Sequence, residues 1–224
     1  YLEELVTRHS EIMNRQDAEN RVGLIVDEWG TWYDPHPGTN PGFLYQQNTM
    51  RDALVAGINL NIFNQHCDRV HMANIAQTAN VLQSIILTDK EKMILTPTYH
   101  VFDLYKHHMG GALLETSLVC DNIEVDGSAI PQIHHSASIS DNGIITITIC
   151  NLSHDKKADL SSALLNYDVS KISGKILSNE MNAHNTFDEP QNVAPSEFSD
   201  FSINEDGCSA SLPPCSVVLL RLEK

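Results

Sequence analysis

A carboxylate at the end of a short apolar run is the residue of this chain best suited to chemistry. The run VGLIVDEWGTWY covers residues 22–33, and Glu28 follows its apolar part. If the run is a strand, alternation places Leu24, Val26 and Glu28 on one face, so that Glu28 continues an apolar row. In parallel α/β folds, catalytic groups lie at the carboxyl ends of strands. Glu28 is therefore a candidate catalytic acid, and a structural role for Asp27 and Glu28 at the strand end is an equal alternative.

Hydrolysis of a glycosidic bond usually requires two carboxyl groups, one that protonates the leaving oxygen and one that attacks the sugar or activates water. In an extended strand Asp27 points away from Glu28, and the other acidic residues lie in predicted helices or loops without a matching spacing. The chain begins at Tyr1, inside an amphipathic helical pattern and without an initiator methionine. We therefore expect it to be a piece of a longer polypeptide, with any partner of Glu28 upstream.

Aromatic and amide side chains accompany the candidate acid. Trp32 could stack on the face of a sugar, whereas Trp29, on the strand face opposite to the acid, is expected to pack in the core. A second group holds Asn74, Gln77 and Asn80 among apolar residues. Amides donate and accept hydrogen bonds, as sugar hydroxyls require, although turns and caps use the same side chains. Both groups suit a carbohydrate site, with structural roles as the alternative.

The net charge argues against two classes of partner. The 224 residues include 29 acidic and 14 basic side chains, which gives a formal charge of −15. Binding of nucleic acid or of an anionic membrane surface needs clustered Lys and Arg. No apolar segment reaches the ~20 residues that span a bilayer. We therefore expect neither nucleic acid nor a membrane as a partner.

The histidines raise the question of a metal site. His66, Cys67, Asp68 and His71 lie close together in the sequence. This group crosses a predicted helix-to-strand junction and has no fixed ligand geometry, and the five cysteines form no CxxC pair that would suit zinc. We expect no metal and no cofactor.

Residues 1–110 alternate between helix and strand. The predicted elements are a helix from residue 2, a strand at 22–29, a loop at 34–42, a helix with a buried stripe from Met50 to Ile58, a strand at 69–74, an irregular segment to 88 and a helix that opens at Thr96 and Pro97. The alternation indicates parallel βα units, and the continuous apolar run at 22–29 indicates a strand covered on both faces. Two strands cannot close a barrel, so without further strands they would leave edges and apolar faces uncovered.

Residues 111–224 are expected to form an antiparallel β-sandwich. Asn142-Gly143 predicts a hairpin of strands 132–140 and 144–151, because this pair accepts the positive φ angles of a tight turn. Further strands are predicted at 112–120, 174–178, 198–203, 208–212 and 216–222. The expected fold class is thus α/β plus all-β, with one domain at 1–110 and a second at 111–224.

Taken in order, the motifs of the first part resemble a known family. They are VGLIVDEWGTWY, DALVAGINLNIFNQH, DRVHMANIAQTANVLQ and TPTYHVFDLYKHHMGG, which extend from about Val22 to Gly111. They are similar to the C-terminal portion of the α-L-arabinofuranosidases of glycoside hydrolase family fifty-one. The resemblance implies a (β/α)8 TIM barrel followed by a jelly-roll-like β-sandwich, of which this chain holds the last quarter of the barrel and the sandwich.

By this resemblance the parent protein is a retaining glycoside hydrolase that releases terminal α-L-arabinofuranosyl residues from arabinose-containing oligosaccharides and polysaccharides. Glu28, at the end of the seventh barrel strand, is then the nucleophile. Trp32 shapes the arabinose pocket, and Gln77, after the eighth strand, contacts the sugar. The acid/base glutamate of the family lies on the fourth strand, outside this chain, so the isolated chain is expected to have little or no activity.

Two other classes remain as alternatives. Other retaining barrel glycosidases, acting on xylosides or β-glucans, share a strand-end glutamate but not the GINLNIFNQHCDRV and NIAQTANVLQ segments. A non-catalytic carbohydrate-binding module would need exposed aromatic side chains on one sheet face. The aromatic residues of 112–224 are Tyr167, Phe187, Phe198 and Phe201. These are few and include no tryptophan, so we favour a structural role for the sandwich.

The resemblance also bears on assembly and location. We expect a homo-oligomer in the full-length protein. A cytoplasmic location is favoured, with a periplasmic or secreted one left open because an export signal would precede this chain. The natural polysaccharide and its linkage are expected to be selected by upstream loops.

Overall fold

Two parallel strands joined by a long helix form the centre of residues 1–110, which we call the βα region. The computed structural model describes the backbone of residues 1–224 and every side chain except that of Val125. The elements of the βα region are α1 (Leu2–Gln16), β1 (Leu24–Trp29), α2 (Met50–Gln65), β2 (Val70–Ile75), β3 (Ile86–Asp89), β4 (Lys92–Leu95) and α3 (Pro97–Tyr105). Strands β1 and β2 pair in parallel and α2 connects them, which confirms the predicted βα unit.

The three helices begin where the sequence indicates. Helix α3 has Thr96 as its N-cap, with Pro97 in the first turn, and the Thr96 side chain accepts a hydrogen bond from the Tyr99 amide. It ends at Tyr105, and a short 3₁₀ turn at Lys106–His108 follows before Gly110. Among the helices that the structure describes, none is long and apolar enough to cross a membrane.

The segment between β2 and α3 differs from the expectation. It was expected to be irregular up to residue 88, but β3 and β4 form an antiparallel hairpin within it. The turn of this hairpin is Lys90-Glu91, and Lys90 has a positive φ of 53°. The expectation is confirmed for residues 76–85 and is wrong for residues 86–88. The hairpin was missed because its turn lacks the Asn-Gly or Asp-Gly pair that usually predicts one.

Strand β1 is more open than its apolar sequence predicts. Ile25 is 52% exposed and its register partner on β2, Met72, is 53% exposed. Leu24 and Val26 instead face the core, where they pack against buried residues of α2 and α3. The prediction of a strand covered on both faces is therefore wrong for this chain. The open face agrees with the expectation that the strands of an incomplete barrel leave apolar faces uncovered.

Residues 111–224, which we call the sandwich region, contain two stacked antiparallel sheets and a separate two-stranded hairpin. The strands are β5 (Ala112–Leu113), β6 (Asn122–Val125), β7 (Ser128–Pro131), β8 (Ile133–Ile139), β9 (Ile145–Asn151), β10 (Ala158–Ala163), β11 (Lys171–Ser178), β12 (Ser196–Phe198), β13 (Phe201–Ile203), β14 (Gly207–Leu212) and β15 (Ser216–Glu223). A six-stranded sheet has the order β12-β11-β15-β9-β8-β5, and a three-stranded sheet has the order β10-β14-β13. The expected class, α/β followed by an antiparallel β-sandwich, is confirmed.

The six-stranded sheet is covered on both faces. Along its central strand β15, Val217 and Leu219 join a core shared with α2 and α3. The alternate residues Val218, Leu220 and Leu222 join a second core against the three-stranded sheet. The period-two alternation of a strand thus places one apolar row in each core.

Most of the predicted strands are confirmed, and the differences lie in irregular stretches. The 132–151 hairpin is present as β8 and β9, with Gly143 at a φ of 76° in the turn. The strand expected at 112–120 is limited to two residues, and the one expected at 198–203 is interrupted between β12 and β13. The hairpin of β6 and β7 and strand β10 were not predicted, because β6, β7 and β10 are short and only weakly apolar.

A connection of the sandwich region also reaches the start of α2. In residues 179–195, between β11 and β12, the Ala183 carbonyl accepts a hydrogen bond from the Met50 amide at 2.9 Å, and the Met181 carbonyl accepts one from the Arg51 amide at 2.9 Å. These are two of the amide groups that a helix leaves unpaired at its N-terminus. The first turn of α2 is thereby held from outside the βα region.

Candidate functional site

The predicted acid lies at the edge where the two parallel strands end. Trp29 of β1 is in register with Ile75 of β2, so the carboxyl ends of both strands meet at the same level. Glu28 is exposed there, one residue before the end of β1. The exposed side chain of Gln77 follows two residues after the end of β2. The topology therefore brings Glu28 and Gln77 to one edge of the molecule.

Glu28 differs in one respect from the sequence interpretation. It was expected to continue a buried apolar row with Leu24 and Val26, but it is exposed and the pairing of β1 with β2 is irregular between Val26 and Trp29. The irregularity interrupts the alternation just before the strand end. Because Glu28 does not lie in the buried row, its carboxylate is accessible to a ligand.

The two tryptophans have different surroundings. Trp29 is buried, stacked on Phe102 at 5.9 Å between ring centroids and edge-on to Phe63 at 5.5 Å. This confirms the expected core role. Trp32 is 65% exposed and lies three residues beyond the end of β1, at the same edge as the carboxylate. Trp32 is the tryptophan available to a ligand.

The loop that carries Trp32 is fixed on both sides of that residue. We call residues 30–48, from the end of β1 to the residue before the N-cap of α2, the first site loop. The buried side chain of Gln46 accepts a hydrogen bond from the Tyr33 amide at 2.8 Å and donates one to the Thr31 carbonyl at 3.2 Å. The guanidinium group of Arg51 lies 4.1 Å from the centre of the Tyr33 ring. Trp32 is therefore displayed to solvent between two anchored neighbours.

The loop after β2 is held in a similar manner. We call residues 76–85 the second site loop. Its Ala76–Gln77 peptide bond is cis, and the Gln77 amide donates to the Leu82 carbonyl at 3.0 Å. Asn80, which the sequence grouped with Gln77, instead exchanges two hydrogen bonds with Thr88 of the β3–β4 hairpin, at 2.7 and 2.8 Å. Gln77 is thus free for a ligand, whereas Asn80 has a structural role.

Sequence reasoning missed the residue that joins the two loops. Asp52 of α2 is fully buried, and its carboxylate accepts hydrogen bonds from Thr31 Oγ1 at 2.7 Å and from Gln83 Nε2 at 2.8 Å. Thr31 belongs to the first site loop and Gln83 to the second. The pattern Thr49-x-x-Asp52 before an apolar helix is a capping box, and this signal could have identified Asp52 as a helix cap.

A glycine allows the two loops to approach each other. Gly30 has a φ of 127°, which side chains rarely adopt, and a Cβ atom at this position would lie 2.7 Å from Gln83 Cγ. Any other residue would strain the backbone and displace Gln83. The close approach of the loops therefore depends on Gly30.

The histidine cluster does not assemble into a site. Within the described part of the chain, no three His, Cys, Asp or Glu side chains are grouped so that they could hold a metal ion. His66 lies 2.6 Å from a carboxylate oxygen of Glu3, so it joins α2 to α1. Burial raises the pKa of the Cys67 thiol, and the neighbouring charge of Asp68 adds to this effect. Of this cluster, His66 thus has a structural role between two helices, and Cys67, Asp68 and His71 are exposed.

Comparison with known proteins connects this geometry to a family. Residues 27–216 match the family described as the alpha-L-arabinofuranosidase C-terminal domain. The chain is 40% identical over 224 residues to an intracellular exo-alpha-L-arabinofuranosidase of Bacteroides ovatus, an alignment that covers 99% of this chain and 44% of that protein. The chain therefore spans less than half the length of this relative.

Solved structures agree with this match. The GH51 arabinofuranosidase from Xanthomonas axonopodis pv. citri superimposes with a TM-score of 0.97 at 44% identity, over 99% of this chain and 45% of that one. An arabinose complex of the Thermotoga maritima alpha-L-arabinofuranosidase gives 0.84 at 25% identity, over 100% of this chain and 48% of that one. The resemblance drawn from the motifs is confirmed, and the chain belongs to the alpha-L-arabinofuranosidase C-terminal domain family.

Proposed function

We propose that the enzyme containing this chain is a retaining α-L-arabinofuranosidase with Glu28 as its nucleophile. Its substrates are oligosaccharides and polysaccharides that end in α-L-arabinofuranosyl units. The observation that carries the proposal is the shared strand edge, where exposed Glu28 at the end of β1 lies beside the loops that present Trp32 and Gln77. In parallel barrel enzymes this edge is where catalytic groups lie.

The reaction proceeds in two steps. Glu28 attacks the anomeric carbon of the terminal arabinofuranosyl unit and forms a covalent glycosyl-enzyme while a second carboxyl group protonates the leaving oxygen. The second group then removes a proton from water, which hydrolyses the intermediate. In retaining enzymes the two carboxyl groups are about 5 to 5.5 Å apart. The acid/base residue belongs to the remainder of the enzyme, so the 224-residue chain by itself has little or no activity.

The two site loops supply the groups that bind the sugar. The exposed indole of Trp32 offers a flat apolar face against the arabinose ring. The exposed amide of Gln77 offers a donor and an acceptor to its hydroxyl groups. At the edge that also carries Glu28, these side chains hold the anomeric carbon in reach of the carboxylate.

The sandwich region, residues 111–224, has a structural role in this proposal. A sugar-binding platform would expose aromatic rings on a sheet face. Tyr167 and Phe198 are buried, and Phe187 and Phe201 are half-buried. Among the described side chains of this region, no aromatic ring is exposed. The region instead packs against α2 and α3, the helices that support the site.

Hydrolysis of an aryl α-L-arabinofuranoside tests the proposed nucleophile. We expect Glu28→Ala in the full-length enzyme to lower kcat by about 10⁴-fold or more, a loss typical of removal of a covalent nucleophile. Added azide should restore turnover to this variant by entering the vacated space, and the product should be an arabinosyl azide of inverted configuration. The unaltered 224-residue chain, measured beside it, should be inactive.

A neighbouring residue provides the matched control. Asp27 is an exposed carboxylate adjacent in the same strand, and Asp27→Ala removes an equal charge without removing the nucleophile. We expect this variant to keep most of the activity. Full activity of Glu28→Ala, or loss of activity without rescue by azide, would overturn the assignment of Glu28.

A further inference from the structure

We propose that Asp52 is a positioning residue that fixes the distance between the Trp32 loop and the Gln77 loop, and so sets the width of the sugar site. This inference rests on the proposed function, in which Trp32 and Gln77 bind the sugar. Asp52 lies on α2 and does not itself reach the strand edge. Its effect on substrate is transmitted through the two side chains that bind its carboxylate, Thr31 and Gln83.

The carboxylate of Asp52 receives more hydrogen bonds than a helix cap requires. A capping box accounts for the contacts of its Oδ2 atom with the Thr49 amide at 2.8 Å and the Thr49 hydroxyl at 3.0 Å. Arg51 adds a third donor to the same oxygen at 3.0 Å. Among the described side chains, those that donate to Oδ1 are Thr31 and Gln83, one from each site loop. Oδ2 therefore binds groups at the start of α2, and Oδ1 binds the two site loops.

Asp52 is linked to both sequence neighbours of Trp32. Thr31, which precedes Trp32, donates its hydroxyl to Asp52. Arg51, which binds Asp52 on the other oxygen, also lies over the ring of Tyr33, which follows Trp32. The residues on both sides of the exposed indole are thus linked to the same buried carboxylate, Thr31 directly and Tyr33 through Arg51.

The connection to Gln77 runs through the second site loop. Gln83 is fully buried and uses its Nε2 atom to bind Asp52 and Thr31, while among the described residues its Oε1 atom has no partner. The preceding residue, Leu82, accepts the hydrogen bond from the Gln77 amide. Gln83 therefore acts at this point as a donor to Asp52, and its position determines that of Gln77.

The charge of Asp52 is essential to this arrangement. The Asp52 carboxylate accepts five hydrogen bonds in the structure, two at Oδ1 and three at Oδ2. The isosteric amide of asparagine has one acceptor oxygen and a donor group in place of the second. Hydrogen bonds to a charged group are about twice as strong as neutral ones. An Asp52→Asn side chain keeps the volume but cannot satisfy both the helix and the loops.

The test measures binding separately from turnover in the full-length enzyme. We expect Asp52→Asn to raise KM for an aryl α-L-arabinofuranoside, and the inhibition constant of arabinose, each by about tenfold, the change that loss of one charge-assisted hydrogen bond produces. A purely structural defect would reduce the fraction of folded enzyme, which lowers the apparent kcat and leaves KM unchanged. An unchanged KM and unchanged arabinose inhibition in Asp52→Asn would overturn the proposal.

Three further variants complete the test. Thr31→Val removes the donor with little change of shape and should raise KM, as Asp52→Asn does. Thr31→Ser retains the hydroxyl, so its KM should be near that of the parent. Thr49→Ala removes a donor from the helix side of Asp52, so we expect a loss of stability with KM near that of the parent. A rise in KM for Thr49→Ala equal to that for Thr31→Val would contradict the division between the two oxygens.

The outcome for Glu28 separates this inference from the proposed function. If Glu28→Ala is inactive and rescued by azide while Asp52→Asn binds arabinose as the parent does, only the role of Asp52 is wrong. If Glu28→Ala retains activity, the proposed function itself fails. In that case the role of Asp52 in positioning sugar-binding groups fails with it.

Discussion

The two regions of this molecule differ in whether their largest fully buried side chains include polar ones. In the βα region they include Arg69 and Gln83 beside apolar Met50 and Leu104. Arg69 donates to the Val22 carbonyl, and Gln83 donates to Thr31 and Asp52. In the sandwich region, those buried to the same degree include Leu177, Leu212 and Leu220, which pack in apolar cores. Hydrogen bonds are directional, whereas apolar burial is not. In the βα region, polar contacts therefore add to apolar packing and hold loops in fixed positions.

The regions also differ in how completely they are covered. Central strand β15 is buried along both faces, whereas Ile25 of β1 is 52% exposed. Both strands have an apolar sequence, so sequence alone does not distinguish them. In our proposal the remainder of the catalytic barrel covers the open face of β1. Three measurements of stability test this difference between the regions.

The largest effect is expected at the buried arginine. Arg69 binds Asp17 Oδ2 at 3.0 Å and the Val22 carbonyl at 2.7 Å, and it also contacts Asn14 and Asn20. Arg69→Met keeps much of the stem but leaves these acceptors without their buried donor, so we expect the free energy of unfolding to fall by about 4 kcal/mol. Urea unfolding of the chain measures this change.

Arg21 offers the matched control for Arg69. It lies 3.4 Å from the same carboxylate of Asp17, but its side chain is 74% exposed. The corresponding Arg21→Met change should alter the free energy of unfolding by less than about 1 kcal/mol, as is typical of an exposed ion pair. Equal effects of the two substitutions would mean that the burial of Arg69 contributes little to the free energy of unfolding.

The next effect concerns the packing of α3 and the following turn on the sheet. His108 is buried, with Nδ1 at 2.7 Å from Ser138 Oγ and Nε2 at 2.9 Å from Thr148 Oγ1. Burial, together with the charge of His107, lowers the pKa of His108 to about 4. The unfolded chain, with a pKa near 6.5, takes up the proton first as the pH falls. Stability is therefore lost between about pH 6.5 and 4, and this loss levels off below pH 4.

The size of this loss follows from the shift in pKa. A change from 6.5 to about 4 corresponds to roughly 3 kcal/mol at most. Urea unfolding at a series of pH values should show a shallower decline for His108→Gln than for the parent. Burial also lowers the pKa values of His134 and His135, so a weaker decline should persist in this variant. Identical pH profiles of stability for the parent and His108→Gln would show that His108 does not contribute to the pH dependence.

The smallest effect compares one isoleucine from each region. Ile149 of β9 is 6% exposed and Ile25 of β1 is 52% exposed. Ile149→Val should lower the free energy of unfolding by about 1 kcal/mol, and Ile25→Val by no more than a few tenths. In the full-length enzyme the effect of Ile25→Val should rise toward that of Ile149→Val. If it stays small there, the face of β1 is not covered by the rest of the barrel.

The sequence predicted the elements that depend on local signals. Asn142-Gly143 located the hairpin of β8 and β9, and Thr96-Pro97 located the start of α3, because these residues favour one backbone conformation. The hairpin at Lys90 was missed because its positive φ is adopted by a residue without that preference. Local chemistry predicts structure only where the residues and the conformation agree.

The candidate site was predictable in part. Glu28, Trp32 and Gln77 were proposed as site residues from the sequence, and the parallel register of β1 and β2 brings the elements that carry them to one edge. Asp52 was missed, since its partners Thr31 and Gln83 are 21 and 31 residues away in the chain. A contact between such distant positions leaves no periodic pattern in the sequence. Positioning residues of this kind become visible only once the fold is known.

The hydrogen bonds from the Met50 and Arg51 amides to the Ala183 and Met181 carbonyls have a consequence for protein engineering. A chain trimmed after residue 110, or one whose sandwich is exchanged for that of a relative, would lose the acceptors for the first turn of α2. The new segment would have to supply two carbonyl groups at matching positions, as well as an apolar surface for α2 and α3. A graft should therefore succeed best when the native residues 179–195, which hydrogen-bond to the βα region, are retained in the new sandwich.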